Sequence, residues 1–532
     1  MERRRFIRLA GGSMAAAAIP KPGLAAKAAS PPKSDLPNIV VIMTDQQRAD
    51  YMKIAGFPLD TQPFLDSLAR QGTCFPRAYT PEPVCAPARC SLMTGRFPKA
   101  HRVRENSGIR NAYFSRDLLD VLQEQGYYTG LIGKNHSYLQ KNKFDVWQMY
   151  GHWNGVIESK SPPFEKQFEQ WVFELTDEIS KEPTPFPLEA QHPYRMVTNA
   201  IEFLKSAGSR PFFLWLSFPE PHNPYQTPRP YFDMFPPETV PDRVAGPEVL
   251  ARKGFKWEWQ RRLLLHYIPD YEKVWRRVRS NACGMYRLID DQVRRFVEAL
   301  QDRKQWDNTI VVFLSDHGDF LGDYGLHKKG VDLPECLVRI PMYWRGPGIQ
   351  ADRIDHPAFV STTDVMPTLC EAIGVPIPEG VQGRSLWPLL QGKPYPEEEF
   401  RSSYAEAGVG GLFYDEGDDL DFDHPKLKRP IKNIFDELNS YSQSGNLKMV
   451  RMGDWKLCYD MMGRGQLYDL KSDPAELRDH YGDPAVAETQ MRMLKELATW
   501  TIRTEDVLPT NAYRHKWPER NWYAPYRKTP KK

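Results

Sequence analysis

The sequence lacks the features that mark several common classes of protein. Its seven cysteines are scattered along 532 residues without a Cys-x-x-Cys pair, which excludes a disulfide framework and a paired-cysteine zinc site. Beyond the N-terminal stretch, no apolar run reaches the ~18–20 residues that a membrane span requires. Lys and Arg total 71 against 68 Asp and Glu, and no nucleic-acid motif is present. We therefore expect neither a nucleic-acid partner nor a membrane span.

The first 30 residues carry the pattern of an export signal. Three arginines, Arg3 to Arg5, precede Phe6 and Ile7, and an Ala-rich apolar stretch and then small residues follow. Charged, apolar and small-residue regions in this order indicate a signal peptide, and the Arg-Arg-x-Phe-Ile core resembles a twin-arginine (Tat) signal. We expect residues 1–30 to engage the Tat export machinery and the mature protein to be periplasmic or secreted. A basic tail without fixed structure is the alternative.

Short apolar runs alternate with helical patterns over most of the chain. Buried strands are predicted at Asn38–Thr44, Tyr128–Gly133, Phe212–Phe218, Thr309–Ser315 and Ile340–Trp344. Helices are predicted at Gln62–Arg70, Leu118–Gln125, Met196–Ser206 and about Arg276–Leu300. This alternation predicts an α/β fold in which helices sandwich a large mixed, mostly parallel sheet.

Beyond about residue 400 the pattern changes to short strands followed by one helix. The strands are predicted at Lys448–Met452, Trp455–Tyr459 and Gln466–Tyr468, and the helix at Val486–Arg503. We therefore divide the chain into a large domain at 36–400, a C-terminal subdomain at 401–510 and a Pro-rich tail at 511–532. The subdomain is predicted to be a small antiparallel sheet with a helix.

A small nucleophile is predicted at the start of a helix. In the run from Cys85 to Gly95, Pro87 suits the first turn of a helix and Gly95 its end. Free backbone N–H groups and the helix dipole then favour negative charge beside Cys85, and Arg89 adds a cation on the same face. This arrangement suits chemistry on a sulfate or phosphate ester. A buried cysteine that caps the helix is the alternative.

Titratable or ligating side chains follow four of the predicted strands. They are Asp45 and Gln46, Lys134 and His136, Glu220 and His222, and Asp316 and His317. Parallel strands bring their carboxyl ends to one edge, where ligands bind in open α/β sheets. Asp45, Gln46, Asp316 and His317 would form an oxygen-rich site with one imidazole. Such a site suits Ca²⁺ first, with Mg²⁺ and Mn²⁺ as alternatives. For each residue alone, a turn, cap or core role remains open.

These motifs resemble the signatures of the sulfatase family, in the family's order, over about residues 36–485. The matching segments are Cys85–Arg89 with Leu92–Arg96, Asn38–Gln46, Gly126–His136, Pro221–Pro224, Ser315–Gly318 and Gly325–Gly330. The spacing favours Lys329 over Lys328 as the family's lysine. Ala88 departs from the usual serine, and Gln46 departs from the usual aspartate. The resemblance implies an alkaline phosphatase-like fold, with residues 36–400 as the catalytic domain.

The resemblance also implies a cofactor set and a mechanism. A formylglycine-generating enzyme would convert Cys85 to formylglycine, whose hydrate would be the nucleophile. Asp45, Gln46, the modified Cys85, Asp316 and His317 would hold one divalent metal. Asp316 would accept the attacking proton, while Arg89, Lys134 and Lys329 would stabilise charge. His222, with Lys329, would protonate the leaving alcohol. His136 would take the proton that releases sulfate.

The substrate is the least determined part of the prediction. His101, Asn106 and His152 are candidate substrate contacts, and plain surface loops are the alternative. The cation- and aromatic-rich segment Arg252–Arg279 would either grip a sulfated polysaccharide or form a helix pair with a solvated charged face, and we favour the helix pair. We expect an exported sulfuric ester hydrolase that acts on a sulfated small molecule or glycan. A phosphonate or phosphate ester hydrolase of the same superfamily, and a non-catalytic glycan-binding relative, are the alternatives.

Overall fold

The computed structural model describes residues 36–175, 179–418 and 442–507. Its strands are β1 (Asn38–Asp45), β2 (Thr73–Cys74), β3 (Ala78–Tyr79), β4 (Tyr128–Gly133), β5 (Val146–Met149), β6 (Phe212–Pro221), β7 (Thr309–Ser315), β8 (Met342–Arg345), β9 (Val360–Ser361), β10 (Ser402–Ala407), β11 (Leu447–Met452), β12 (Trp455–Asp460) and β13 (Gly465–Asp469). The predicted export signal at 1–30 and the Pro-rich tail at 511–532 lie outside the described residues.

The helices surround the larger sheet and follow the smaller one. They are α1 (Pro63–Arg70), α2 (Cys85–Thr94), α3 (Pro98–His101), α4 (Leu118–Glu124), α5 (Pro163–Glu174), α6 (His192–Ala207), α7 (Tyr231–Met234), α8 (Leu250–Lys253), α9 (Phe255–Tyr267), α10 (Tyr271–Asp302), α11 (Glu335–Val338), α12 (Val365–Ala372), α13 (Trp387–Leu390) and α14 (Ala487–Thr504).

The larger sheet has seven strands in the order β2-β8-β7-β1-β6-β4-β5. Strands β7, β1, β6, β4 and β5 run parallel to their neighbours, whereas β8 is antiparallel to β7 and β2 is antiparallel to β8. The predicted mixed, mostly parallel sheet is therefore confirmed. Because β1, β4, β6 and β7 are parallel, their carboxyl ends share one edge.

Both faces of this sheet are buried, as alternation along β1 illustrates. Ile39, Val41 and Met43 pack with α2, α4, α12 and α13 in one core, while Val40 and Ile42 pack with α1, α6 and α10 in the other. Burying each such aliphatic side chain stabilises the fold by roughly 1.5–3 kcal/mol. The helices therefore pack on both faces of the sheet, which holds the ends of its strands, and the loops that follow them, in place.

The smaller sheet is antiparallel, in the order β10-β11-β12-β13. On one face Val450 and Leu457 pack against Leu497 and Trp500 of α14. On the other face Met449 joins a core with residues of the large domain such as Val338. The predicted antiparallel sheet with a helix is thus confirmed, and it packs directly on the large domain.

The cation- and aromatic-rich segment Arg252–Arg279 is a helix pair, but its side chains are not simply solvated. Trp257, Trp259 and Trp275 are buried in the cores beneath α9 and α10. Arg261 donates to the Gly325 carbonyl, and Arg279 donates to the Leu321 carbonyl at 3.0 Å. The buried tryptophans present no ring to a polysaccharide, so the helix pair stays the favoured interpretation. No helix in the described ranges is both long and apolar enough to cross a bilayer.

Candidate active site

Cys85 is the first residue of α2, and its side chain is 1% exposed. The predicted helix is confirmed, with Gly95 in a left-handed conformation (φ 62°) at its end and Pro87 in its first turn. Val84 precedes the helix and has no side-chain acceptor for its free N–H groups. Asn106, from a separate loop, fills this role because its Oδ1 accepts from the Ala86 N–H at 3.1 Å.

Four buried side chains converge at the carboxyl edge of the large sheet. The Cys85 Sγ lies 3.2 Å from the His317 Nε2 and 3.8 Å from the Asp45 Oδ1. The same His317 nitrogen lies 3.8 Å from the Asp316 Oδ1 and 4.0 Å from the Asp45 Oδ1. One ligand atom from each of these residues fits within a 4.8 Å span. The ends of β1 and β7 and the start of α2 thus bring Asp45, Asp316, His317 and Cys85 together.

Arg89 fixes the outer side of this cluster from one turn along α2. Its guanidinium donates to the Asp316 Oδ2 at 2.8 Å and to the Asp45 Oδ2 at 3.0 Å. It also donates to the Lys134 carbonyl and to the Ser217 Oγ, both at 2.8 Å. Arg89 is completely buried. It therefore occupies the Oδ2 of each carboxylate. The Asp45 Oδ1 faces Cys85, and the Asp316 Oδ1 accepts from the backbone N–H groups of Gln46 and His317 at 3.0 and 2.9 Å.

The two carboxyl groups differ in their electrostatic environment. Burial raises the pKa of Asp45, but Lys134, His222 and Arg89 together outweigh burial and hold this pKa well below its ordinary value. Burial and the neighbouring Asp45 charge raise the pKa of Asp316. Adjacent carboxyl groups with pKa values pushed in opposite directions are typical of functional sites.

These donors fit a hard divalent cation. The His317 Nδ1 donates to the Gly318 carbonyl at 2.9 Å, so the Nε2 is the ring nitrogen that would ligate a cation beside the two carboxylates. Two carboxylates, one amide and one imidazole match the ligands that Ca²⁺, Mg²⁺ or Mn²⁺ accept. The described residues thus include a donor set of the right chemistry, centred beside Cys85.

Two lysine–histidine pairs lie beside the cluster. The Lys134 Nζ contacts Asp45, lies 3.5 Å from the Cys85 Sγ and lies 2.9 Å from the His152 Nε2. The Lys329 Nζ lies 3.1 Å from the His222 Nε2. Lys329 rather than Lys328 makes this contact.

The imidazoles of the two pairs stack on each other. The rings of His152 and His222 have centroids 3.8 Å apart and are tilted by 21°. Burial lowers the pKa of each ring well below its ordinary value, and Lys134 and Lys329 lower both further; His152 also lowers the pKa of His222. The His222 Nδ1 donates to the Asn223 carbonyl at 2.9 Å, so its Nε2 accepts from Lys329. Both rings are neutral bases held against ammonium groups.

The remaining predicted site residues fall into different places. His136 follows Lys134 at the sheet edge with a left-handed backbone (φ 41°), and its Nδ1 is buried without a hydrogen-bond partner among the described residues. His101 is fully buried away from the cluster, where it contacts the Ser91 Oγ at 2.9 Å and the Val103 N–H at 3.2 Å. Burial lowers the pKa of His101 to about 3. The structure therefore does not bring His101 to the cluster.

Three further residues support the site, and the sequence analysis did not single them out. Asp319 and Tyr225 both contact the Gln46 amide. Ser217 accepts from Arg89 and donates to the Lys134 carbonyl at 2.7 Å. The position of Asp319 just after His317-Gly318 was the only available signal. Tyr225 carries none because its partners are distant in sequence.

Two glycines are required where the backbone carries the functional loops. A Cβ on Gly133, which has φ 121°, would lie 1.9 Å from the Ser217 carbonyl oxygen. A Cβ on Gly318 would lie 1.9 Å from the Cys336 carbonyl oxygen. Any side chain at either position would displace the neighbouring strand or loop, and with it Lys134 or His317.

The fold and the site place a buried cysteine at a helix N-terminus beside a carboxylate–imidazole cluster, an arrangement that suits a hydrolase of anionic esters. A sulfatase family model matches residues 37–375. The arylsulfatase of Clostridium perfringens is 30% identical over 469 residues, which cover 83% of this chain and 89% of that relative. The chain belongs to the sulfatase family, and the prediction of a sulfuric ester hydrolase is confirmed at that level.

Solved structures confirm the alkaline phosphatase-like fold of this family. The phosphonate monoester hydrolase of Agrobacterium radiobacter superposes with a TM-score of 0.70 at 23% identity, covering 88% of this chain and 96% of that one. A protein solved with its substrate D-glucosamine-2-N,6-O-disulfate superposes with a TM-score of 0.66 at 19% identity, covering 90% and 100%. At such low identity these likenesses show the fold alone.

Proposed function

We propose that the protein is an exported sulfatase that hydrolyses a sulfate ester through formylglycine formed from Cys85, with one divalent cation, Ca²⁺ in the first instance. The observation that carries the proposal is the position of the Cys85 Sγ. It lies at the N-terminus of α2, 3.2 Å from the His317 Nε2, within the cluster of Asp45, Asp316 and His317. A thiol in that position is placed for conversion to a nucleophile directed at a bound anion.

The cluster would work with two groups that mature protein acquires. Formylglycine would supply a hydrated aldehyde as the nucleophile, and the cation would neutralise the sulfate oxygens and lower the pKa of the attacking hydroxyl. Asp45, Gln46, Asp316 and His317 would hold the cation. Arg89 would keep the two carboxylates in register, and Asp316 would accept the proton as the sulfur–oxygen bond forms.

The lysine–histidine pairs supply the other proton movements. Lys329 donates to the His222 Nε2, so this pair can deliver a proton to the departing alcohol. Lys134 lies against Asp45 and the nucleophile, where its charge would stabilise negative charge on the sulfuryl group. His136, whose Nδ1 has no hydrogen-bond partner among the described residues, would accept the proton that accompanies sulfate release.

A sulfated small molecule or glycan is the substrate class that we propose. A protein of the same fold has been solved with the sugar D-glucosamine-2-N,6-O-disulfate as its substrate. His152, stacked on His222 and 2.9 Å from the Lys134 Nζ, is the substrate-contact candidate that we favour. The Arg-Arg-x-Phe-Ile pattern near the N-terminus supports export by the Tat machinery to the periplasm or beyond. A formylglycine-generating enzyme would be the maturation partner.

The proposal is tested by replacing Cys85 and analysing its chemical state. Cys85→Ala should abolish hydrolysis of an aryl sulfate, and peptide mass spectrometry of the active wild-type protein should find an aldehyde at position 85. Cys90→Ala is the matched control because Cys90 lies on the same helix and burial raises its pKa to about 12, which makes it inert. An intact thiol at Cys85 in fully active protein would contradict the proposal.

Phosphonate or phosphate ester hydrolysis is the second candidate. Gln46 stands where most sulfatases have aspartate, so the cluster carries one negative charge fewer, and a phosphonate monoester hydrolase shares the fold. The two candidates are separated by comparing an aryl sulfate with the matching aryl phosphonate and phosphodiester. A kcat/KM that is higher for the phosphonate than for every sulfate ester tried would favour the second candidate.

A further inference from the structure

Hydrogen bonds hold both ends of the Gln46 amide. The Nε2 donates to the Asp319 Oδ2 at 2.7 Å and to the Tyr225 hydroxyl at 3.2 Å. The Oε1 accepts from the Lys329 Nζ at 3.2 Å. The backbone of Gln46 is left-handed (φ 69°), an uncommon conformation for a residue with a side chain. The whole residue is thus constrained at the end of β1.

Chemistry fixes which end of this amide points where. If the amide were reversed, its NH₂ group would face the Lys329 ammonium, so that two donors would oppose each other. The carbonyl oxygen would then face the Asp319 carboxylate, so that two acceptors would also oppose each other. Both conflicts are buried, where an unmade hydrogen bond costs about 1–3 kcal/mol. The oxygen therefore stays on the side of Lys329, whose charge also acts on Cys85 and His317 of the cluster.

The Asp319 carboxylate holds the Gln46 amide and acts only as an acceptor. Its Oδ1 accepts from the Leu321 N–H at 2.9 Å, and its Oδ2 accepts from Gln46 and from the Tyr225 hydroxyl. Its backbone N–H donates to the Cys336 carbonyl at 3.1 Å, and its side chain is buried. An acceptor-only carboxylate in a tethered loop is a fixed negative charge immediately behind the Gln46 amide.

We propose that Asp319, assisted by Tyr225, is a positioning residue that presents the Gln46 oxygen to the divalent cation and supplies the negative charge that Gln46 lacks. Gln46 replaces the family's usual aspartate, and the missing negative charge is then carried by Asp319, which contacts the Gln46 amide nitrogen. The inference rests on the proposed cation site. Asp319 and Tyr225 would act through Gln46 and not by contact with the substrate.

A charge-exchange cycle tests the proposal by calorimetric titration of the purified protein with Ca²⁺. Asp319→Asn removes the charge and frees the amide to reverse, and Gln46→Glu places two carboxylates against each other. Each single change should weaken Ca²⁺ binding by about 10–100-fold, the usual effect of losing an outer-shell partner. The double variant, Gln46→Glu with Asp319→Asn, exchanges the two groups and should bind within roughly threefold of wild type.

Tyr225→Phe provides the graded comparison, because it removes one hydroxyl and leaves Asp319 on the amide. It should weaken Ca²⁺ binding less than Asp319→Asn does. Unaltered Ca²⁺ affinity in Asp319→Asn, or a double variant as weak as the weaker single variant, overturns the inference while the cation site stands. If the wild-type protein binds none of Ca²⁺, Mg²⁺ and Mn²⁺, the cation site and the inference both fail. Should Asp319→Asn not fold, Gln46→Glu and the double variant decide.

Discussion

Arg89 shows how far the site depends on single buried side chains. It is buried between Asp45 and Asp316. Its guanidinium donates to both carboxylates and to two neighbouring oxygens, the Lys134 carbonyl and the Ser217 hydroxyl. Removing one partner of a buried ion pair leaves a charge without compensation, which is more costly than never having built the pair. Arg89 is therefore a structural requirement of the cluster as well as part of its chemistry.

Replacement of Arg89 by methionine should accordingly lower the free energy of unfolding. We expect a loss of about 3–5 kcal/mol in urea denaturation, because the buried Asp316 then loses its arginine and Asp45 retains only Lys134. Arg110→Met is the control, since Arg110 is exposed on the loop that follows α3. A loss below about 1 kcal/mol, similar to that of an exposed ion pair, would contradict the assignment.

The two adjacent lysines near the site should behave differently. Lys329→Ala should lower kcat by roughly 10²–10⁴-fold, as expected when a proton-transfer partner is lost, because Lys329 donates to His222 and Gln46. Lys328→Ala should leave kcat within a few-fold of wild type. Steady-state kinetics on an aryl sulfate measures both, and equal losses of kcat in the two variants would count against the role of Lys329.

At the residue scale, the sequence predicts groups that carry chemistry and misses groups that only position them. The pairing of Asp319 with Gln46 joins residues 273 positions apart, and nothing in local spacing reveals it. His101 illustrates the opposite error. Its motif suggested a substrate contact, but its ring contacts the Ser91 hydroxyl and the Val103 N–H instead. A side chain's partners depend on packing, which one sequence does not state.

At the element scale, buried parallel strands were the most readable features. The bounds predicted for β4 and β7 match the structure, since strands buried on both faces read as continuous apolar runs. The short strands β2 and β5 at the two edges of the sheet were missed, because a few residues carry no periodicity. The helix α10 begins at Tyr271 rather than near Arg276, and Tyr271, Trp275 and Val278 in its first turns lie on one face and pack into a local core.

The loop residue Asn106 should act on the α2 terminus. Asn106→Ala removes the acceptor for the Ala86 N–H, and loss of a helix-capping group costs about 0.5–2 kcal/mol. We expect a fall in unfolding free energy of that size together with a lower kcat. Asn111→Ala, at an exposed position in the same loop, is the control. A raised KM without any loss of stability would instead make Asn106 a substrate contact.

At the scale of the whole molecule, sequence texture predicted that a small antiparallel sheet follows the large domain. It did not predict β10, which pairs with β11 across a long intervening segment, because Ser402–Ala407 is mostly serine and alanine and contains no β-branched residue. It also did not predict how the two sheets join. That junction contains Lys456 of β12, which is fully buried and contacts Glu476 at 2.8 Å and Glu335 of the large domain at 3.3 Å.

Lys456 should make the stability of the whole chain depend on pH. Burial raises the pKa of Glu335, but Lys456 and nearby arginines outweigh it and hold the pKa below 4.5. A carboxyl with a depressed folded pKa stabilises the protein above its unfolded pKa and loses that contribution as pH falls through the folded value. Lys456→Met should therefore lower the unfolding free energy by about 3–5 kcal/mol near neutral pH. The deficit relative to wild type should shrink below pH 4.5 as Glu335 is protonated.

Urea denaturation at a series of pH values across this range measures the deficit, with exposed Lys495→Met as control. A deficit that is constant with pH would show that Lys456 contributes by packing rather than by charge.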